Sequence, residues 1–98
     1  QITSAVKEVY PQINETLEAM ILDNSMQVLL KVPVSEIIKR LDSLEGARFL
    51  VMDGIITQRL IDAAYRAGIE YVVGHRMAEL KKSPEITVRT FDQMGIGN

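Results

Sequence analysis

RFLVMDGIITQRLIDAAYRAGIEYVVG, residues 48–74, decides the fold. Phe49-Leu50-Val51-Met52 is an unbroken apolar run, the mark of a strand covered on both faces. Residues 57–67 then repeat with helical period and stop at Gly68. Leu60, Ala63, Ala64 and Ala67 share one side of that helix, and their small size lets it lie close to a sheet. Residues 69–74 form a second apolar strand. Strand 48–53, helix 57–67 and strand 69–74 predict a parallel, right-handed βαβ unit.

Working outward, residues 86–91 alternate like an edge strand. Upstream, Val34, Ile37, Ile38, Leu41 and Leu44 predict a helix with Ser35 as N-cap, Gly46 as its stop and Glu36 paired with Arg40. Two extended runs, 18–23 and 26–32, flank Asn24-Ser25 and predict a β-hairpin. In the second run Met26, Val28, Leu30 and Val32 alternate with Gln27, Leu29 and Lys31, which suits one well-buried face. Ile2, Val6, Val9, Tyr10, Ile13 and Leu17 hold one helical stripe with Ser4 as N-cap, and Pro11 predicts a break or kink within it. The expected fold is therefore α/β: a small sandwich with an N-terminal helix, a β-hairpin, and a parallel βαβ unit plus an edge strand. The 98 residues read as one domain, with a helical lead-in at 1–17, an α/β core at 18–94 and a tail at 95–98. The start at Gln1 rather than Met reads as a piece of a longer protein.

Composition excludes several function classes. Cysteine is absent and His75 is the single histidine, which rules out disulfide scaffolds, zinc fingers, iron–sulfur clusters and thiol catalysis. With 47% apolar and 24% charged residues, the chain is neither disordered nor membrane-spanning, and a cytoplasmic location is expected. Net charge is −2, so no global field draws it onto nucleic acid. The charge is uneven, however: residues 1–46 carry four basic and seven acidic groups, and residues 47–98 seven and six. No Asp-x-Asp, nucleophile–base pair or Gly-rich phosphate loop is present. Neither catalysis, cofactor binding nor metal binding is expected of this chain.

In a parallel sheet, ligands gather outside the carboxyl ends of strands. The strands ending at Asp53 and Gly74 are expected neighbours, which would bring Asp53, Arg59, His75 and Arg76 to one edge. Thr57, Gln58 and Arg59 open the helix there, and its N–H groups suit an anion. The same residues also read as turn chemistry: Asp53 capping, Gly54 supplying a positive φ, Arg59 reaching a carboxylate. Arg76, Lys81 and Lys82, in an expected surface loop, can track phosphates or act as a solvated connection. Tyr65 and Tyr71 read as core or rim residues.

Asp53-Gly54-Ile55-Ile56-Thr57-Gln58-Arg59-Leu60-Ile61-Asp62-Ala63-Ala64-Tyr65, with Val72-Val73-Gly74-His75-Arg76-Met77 and Lys81-Lys82-Ser83-Pro84, resembles the C-terminal region of archaeal DnaG-type primases. Tyr10-Pro11, the hairpin and Val32-Pro33-Val34-Ser35-Glu36 extend the likeness over nearly the whole chain. The resemblance implies a parent with a TOPRIM domain that holds Mg²⁺ and synthesises short RNA primers for DNA replication. It also implies an exosome subunit that favours adenine-rich RNA. The partners implied are the exosome cap proteins and the replicative helicase. None of the TOPRIM acidic motif maps onto this chain, so no catalytic or metal role carries over.

Three functions follow as expectations. The first is a non-catalytic accessory domain that docks partner proteins or contacts RNA weakly through Asp53, Thr57, Gln58, Arg59, His75, Arg76, Lys81 and Lys82. The second is a small-ligand or nucleotide-binding domain with an anion site at residues 53–59. The third is a structural brace, orienting the TOPRIM domain or pairing two copies as a homodimer.

Overall fold

The computed structural model describes residues 2–81 and 85–97. Elements run α1 (Ile2–Ile13), β1 (Glu18–Asp23), β2 (Val28–Pro33), a 3₁₀ turn at Val34–Glu36, α2 (Ile37–Leu41), β3 (Ala47–Met52), β4 (Ile55–Ile56), α3 (Gln58–Arg66), β5 (Tyr71–Gly74), β6 (Arg76–Met77), β7 (Thr87–Thr90) and a 3₁₀ turn at Asp92–Met94. The main sheet has the order β2-β1-β3-β5-β7, and β4 and β6 form a second, two-stranded sheet. β1 is antiparallel to β2 and β3, whereas β3, β5 and β7 are parallel. The expected α/β fold is therefore present, including hairpin, parallel βαβ unit and edge strand.

Alternation along the central strands divides the core in two, because successive side chains leave a strand on opposite faces. Ala19, Ile21, Leu50, Met52 and Val72 face α2 and α3, where Ile37, Leu41, Leu60, Ile61, Ala63 and Ala64 complete a dry cluster. Met20, Leu22, Val51 and Val73 face α1 and meet Val6, Val9, Ile13, Phe91 and Ile96. Tyr10 packs edge-on against Phe91 with ring centroids 4.7 Å apart.

Several local expectations are corrected. α1 starts at Ile2 with Ser4 inside it, and it runs through Pro11 to Ile13 without a break. Pro11 lies in the last turn, where the missing N–H strands only one carbonyl; Tyr10 O still accepts from Asn14 N at 2.9 Å, and buried Val9 and Ile13 anchor both sides. The helix expected from Val34 to Leu44 shrinks to the 3₁₀ turn and five residues of α2, with Glu36 rather than Ser35 at the N-cap and no side-chain capping bond. Glu36 makes no ion pair with Arg40; among the described residues the pairs are Lys31–Glu18 at 3.6 Å and Arg48–Glu70 at 3.8 Å.

The hairpin also differs. Met26 sits in the turn with φ 65°, where Asp23 Oδ1 accepts from Ser25 N and Gln27 N. β2 is an outer strand, so Val32 is buried, Leu30 partly so, and Val28 is 50% exposed. The face expected to be well buried lies on the α2–α3 side, where Val32 and, in part, Leu30 join the cluster, and the cover ends before Val28. No helix among the described residues is long and apolar enough to cross a membrane.

Candidate functional site

The carboxyl ends of β3 and β5 lie side by side, with Val51 opposite Val73. Both chains continue outward as β4 and β6, with Ile55 opposite Arg76 and Ile56 opposite Met77. Gly54 O accepts from His75 N at 2.9 Å and from Arg76 N at 3.3 Å. The sequence-predicted neighbours Asp53, His75 and Arg76 therefore do share one edge. Arg76 lies in a strand rather than in the expected surface loop, because the β4 backbone supplies its partner.

Two glycines permit this approach. A Cβ at Gly74 would stand 2.6 Å from Ile56 Cγ1 and 3.2 Å from Gly54 O, so only glycine lets β4 cross so close. Gly54 is not among the positive-φ residues, contrary to expectation. What it supplies is room, since a Cβ there would meet Met52 Cε at 3.1 Å and Val34 Cγ1 at 3.3 Å.

α3 opens onto the same edge. Thr57 is its N-cap, with Oγ1 accepting from Leu60 N at 3.2 Å. Gln58 Oε1 accepts from Lys81 N at 2.9 Å, and Ile56 O accepts from Ala78 N, so the segment after β6 is tied to the helix start. Arg59, His75, Arg76 and Lys81 are exposed. Lys82 lies outside the described residues.

Asp53 is the one buried charged side chain among the described residues, 9% exposed. Its Oδ2 accepts from Leu17 N at 2.8 Å, and its own N–H donates to Glu18 O at 2.9 Å. The carboxylate is thus engaged with the loop between α1 and β1, away from the start of α3. Leu17 O in turn accepts from Val34 N at 2.8 Å. Between these two bonds Leu17 holds φ 60°, a left-handed conformation that costs a non-glycine residue about 1–2 kcal/mol. Its side chain is nevertheless 69% exposed.

Beside Leu17 opens a mostly apolar cleft of about 550 Å³, lined by Thr16, Leu17, Glu18, Pro33, Val34 and Ser35. Sequence reasoning missed every one of these residues. The apolar period places Leu17 on the stripe of α1, but the helix ends at Ile13 and Leu17 turns outward. Ile55 (54% exposed) and Met77 (38%) add apolar surface at the same end of the sheet. Among the described residues no cluster of three or more His, Asp or Glu side chains is placed to hold a metal ion.

These features define a small α/β domain whose strand ends carry an apolar cleft and a rim of exposed charges of both signs. The chain is 44% identical over 91 residues to the DNA primase DnaG of Thermofilum pendens, a match covering 89% of this chain and 21% of that protein. It is 36% identical over 96 residues to DNA primase DnaG of Archaeoglobus fulgidus, covering 95% of this chain and 24% of that protein. For DNA primase DnaG of Caldivirga maquilingensis the identity is 34% over 95 residues, covering 96% and 21%. No family model matches. The chain spans about a fifth to a quarter of the length of these relatives. It corresponds to a domain of a DnaG-type primase, as the resemblance carried by residues 53–65 implied.

Proposed function

We propose that this chain is the non-catalytic C-terminal accessory domain of a DnaG-type primase and that it acts by association, through the carboxyl edge of its main sheet. Primer synthesis, and the Mg²⁺ it needs, are assigned to a TOPRIM domain elsewhere in the parent. The observation that carries the reading is Leu17. A buried carboxylate and a backbone N–H hold this residue in a costly conformation, with its side chain left in water beside an apolar cleft. Strain kept where it exposes an anchor is more economically read as a contact than as a packing device. The exosome cap proteins and the replicative helicase are the partners the primase resemblance suggests.

Calorimetric titration of the chain with purified cap proteins and purified helicase tests this. Binding of at least one, weakened about tenfold by Leu17→Asp, is expected, since truncating an anchor costs 1–2 kcal/mol or more. Failure of both proteins to bind, or binding indifferent to Leu17, refutes it. RNA contact is a second reading, favoured by the exposure of Arg59, His75, Arg76 and Lys81 on this edge. It predicts weak oligoadenylate binding with a log–log salt slope of about −1 to −3, at ~0.7 per phosphate. A salt-independent affinity refutes it.

A further inference from the structure

Two walls bound the apolar cleft, Thr16, Leu17 and Glu18 on one side and Pro33, Val34 and Ser35 on the other. Val34 N donates to Leu17 O at 2.8 Å and ties the walls together. Each wall carries an exposed carboxylate one residue beyond its lining, Glu15 on the first and Glu36 on the second. Among the described residues neither of them forms an ion pair. Glu18 adds a third carboxylate, bridged to Lys31 at 3.6 Å, and buried Asp53 a fourth behind Leu17. The surroundings do not offset this charge. Lys39 and Arg40 on α2 are matched by Asp42 and Glu45, and Arg59, Arg76 and Lys81 by Asp62, Glu79 and Asp92. Outside Glu15, Glu18, Lys31, Glu36 and Asp53 the chain holds nine acidic and ten basic groups, so its net charge of −2 arises at the cleft. One lip of the cleft is also strained twice, with Glu15 at φ 63° and Leu17 at φ 60°. Left-handed conformations of non-glycine residues gather at contact and switch sites.

We infer that the cleft takes an apolar side chain of a partner protein, on a segment that carries Lys or Arg to both sides of that anchor. The inference rests on the association reading above and names the chemistry of the partner. The cleft volume of about 550 Å³ falls within the ~300–1,000 Å³ of binding pockets, which is room for a bulky aliphatic or aromatic anchor. Because one carboxylate stands beyond each wall, cations flanking the anchor meet Glu15 on one side and Glu36 on the other. Leu17, 69% exposed on the lip, gains apolar cover from the same anchor. An apolar centre with a charged rim is the usual anatomy of a protein contact. Rim charges of this kind steer an oppositely charged partner and reject a like-charged one. Acidic segments and the phosphates of nucleic acid are therefore turned away from this cleft.

Calorimetric titration of the chain with two synthetic peptides tests the inference. One peptide has a central Leu-Leu pair between Lys-Arg flanks; the other has Glu in place of every Lys and Arg. Wild type is expected to bind the basic peptide with a Kd below ~1 mM and about tenfold more tightly than the acidic one. Glu15→Lys/Glu36→Lys should reverse that preference. Both positions are exposed, and circular dichroism reports any loss of fold. No binding of the basic peptide at ~1 mM, equal binding of the two peptides, or a preference that survives the double reversal overturns the inference. A cap protein or helicase that binds through Leu17 but ignores the double reversal removes the basic flanks alone and keeps the association reading. Proteins whose binding ignores both Leu17→Asp and the reversal remove both.

Discussion

Replacing Asp53 by alanine separates the α1–β1 loop from the sheet. The bond at stake is Leu17 N to Asp53 Oδ2 at 2.8 Å, between residues 36 positions apart, with the acceptor only 9% exposed. A hydrogen bond to a charged group is worth about 1.5–3 kcal/mol, and its loss leaves the Leu17 N–H without a protein partner. Against this, the freed loop recovers some of the 1–2 kcal/mol held in the left-handed Leu17. The net destabilisation is about 1–2 kcal/mol, which for a domain of this size lowers Tm by roughly 4–16 °C. Asp53→Asn keeps a neutral acceptor in place and should cost about half as much. Thermal denaturation followed by circular dichroism measures both, and hydrogen exchange should show the Leu17 amide losing protection in Asp53→Ala before the sheet amides do. An alanine variant melting within about 2 °C of wild type, or an asparagine variant equally damaged, refutes the assignment of Asp53 as the clamp on Leu17.

Gly74→Ala drives a Cβ to 2.6 Å from Ile56 Cγ1 and 2.9 Å from Cδ1, and should cost about 1–3 kcal/mol by overpacking. In the Ile56→Ala background, which removes both atoms, the same change should cost clearly less than in wild type when read by urea denaturation; additive costs refute the clash. Thr57→Ala removes the acceptor for Leu60 N at the start of α3 and should cost about 1 kcal/mol. A loss below ~0.3 kcal/mol in the same assay would mean that water replaces the cap.

The βαβ unit was legible because each of its elements is fixed by burial on a recognisable period: Phe49–Met52 on both faces, Leu60 and Ala63-Ala64 on one. Thr57 and Gly68 then marked the ends of α3, the second with φ 87°. The same logic overreached for α2. Val34, Ile37, Ile38, Leu41 and Leu44 do turn inward, but no side chain caps the segment and the chain leaves the helix after Leu41 to reach β3. It overreached again for β2, whose alternation is correct but whose outer position leaves Val28 uncovered. β4 and β6 were invisible, since two residues have no period. In the site, the placement of Asp53, His75 and Arg76 at one strand edge followed from strand order alone. The clamp on Leu17 did not, because a bond spanning 36 positions and a positive φ at leucine leave no local pattern.

The short β4–β6 pair also bears on how this edge would meet anything that binds it. Two residues separate β3 from β4 and one separates β5 from β6, and Gly54 O and Ile56 O lock the second strand to the first. Ile55, Arg76 and Met77 are therefore carried on extensions of the two innermost strands, with no slack between them and the core. Ordering a mobile side chain on binding costs about 0.5–1.5 kcal/mol. The exposed side chains here still bear that cost, but the backbone that carries them is already fixed, which on a free loop would cost about 1–2 kcal/mol more per residue, so a modest contact area at this end of the sheet can hold a partner more firmly than the same residues would on a free loop.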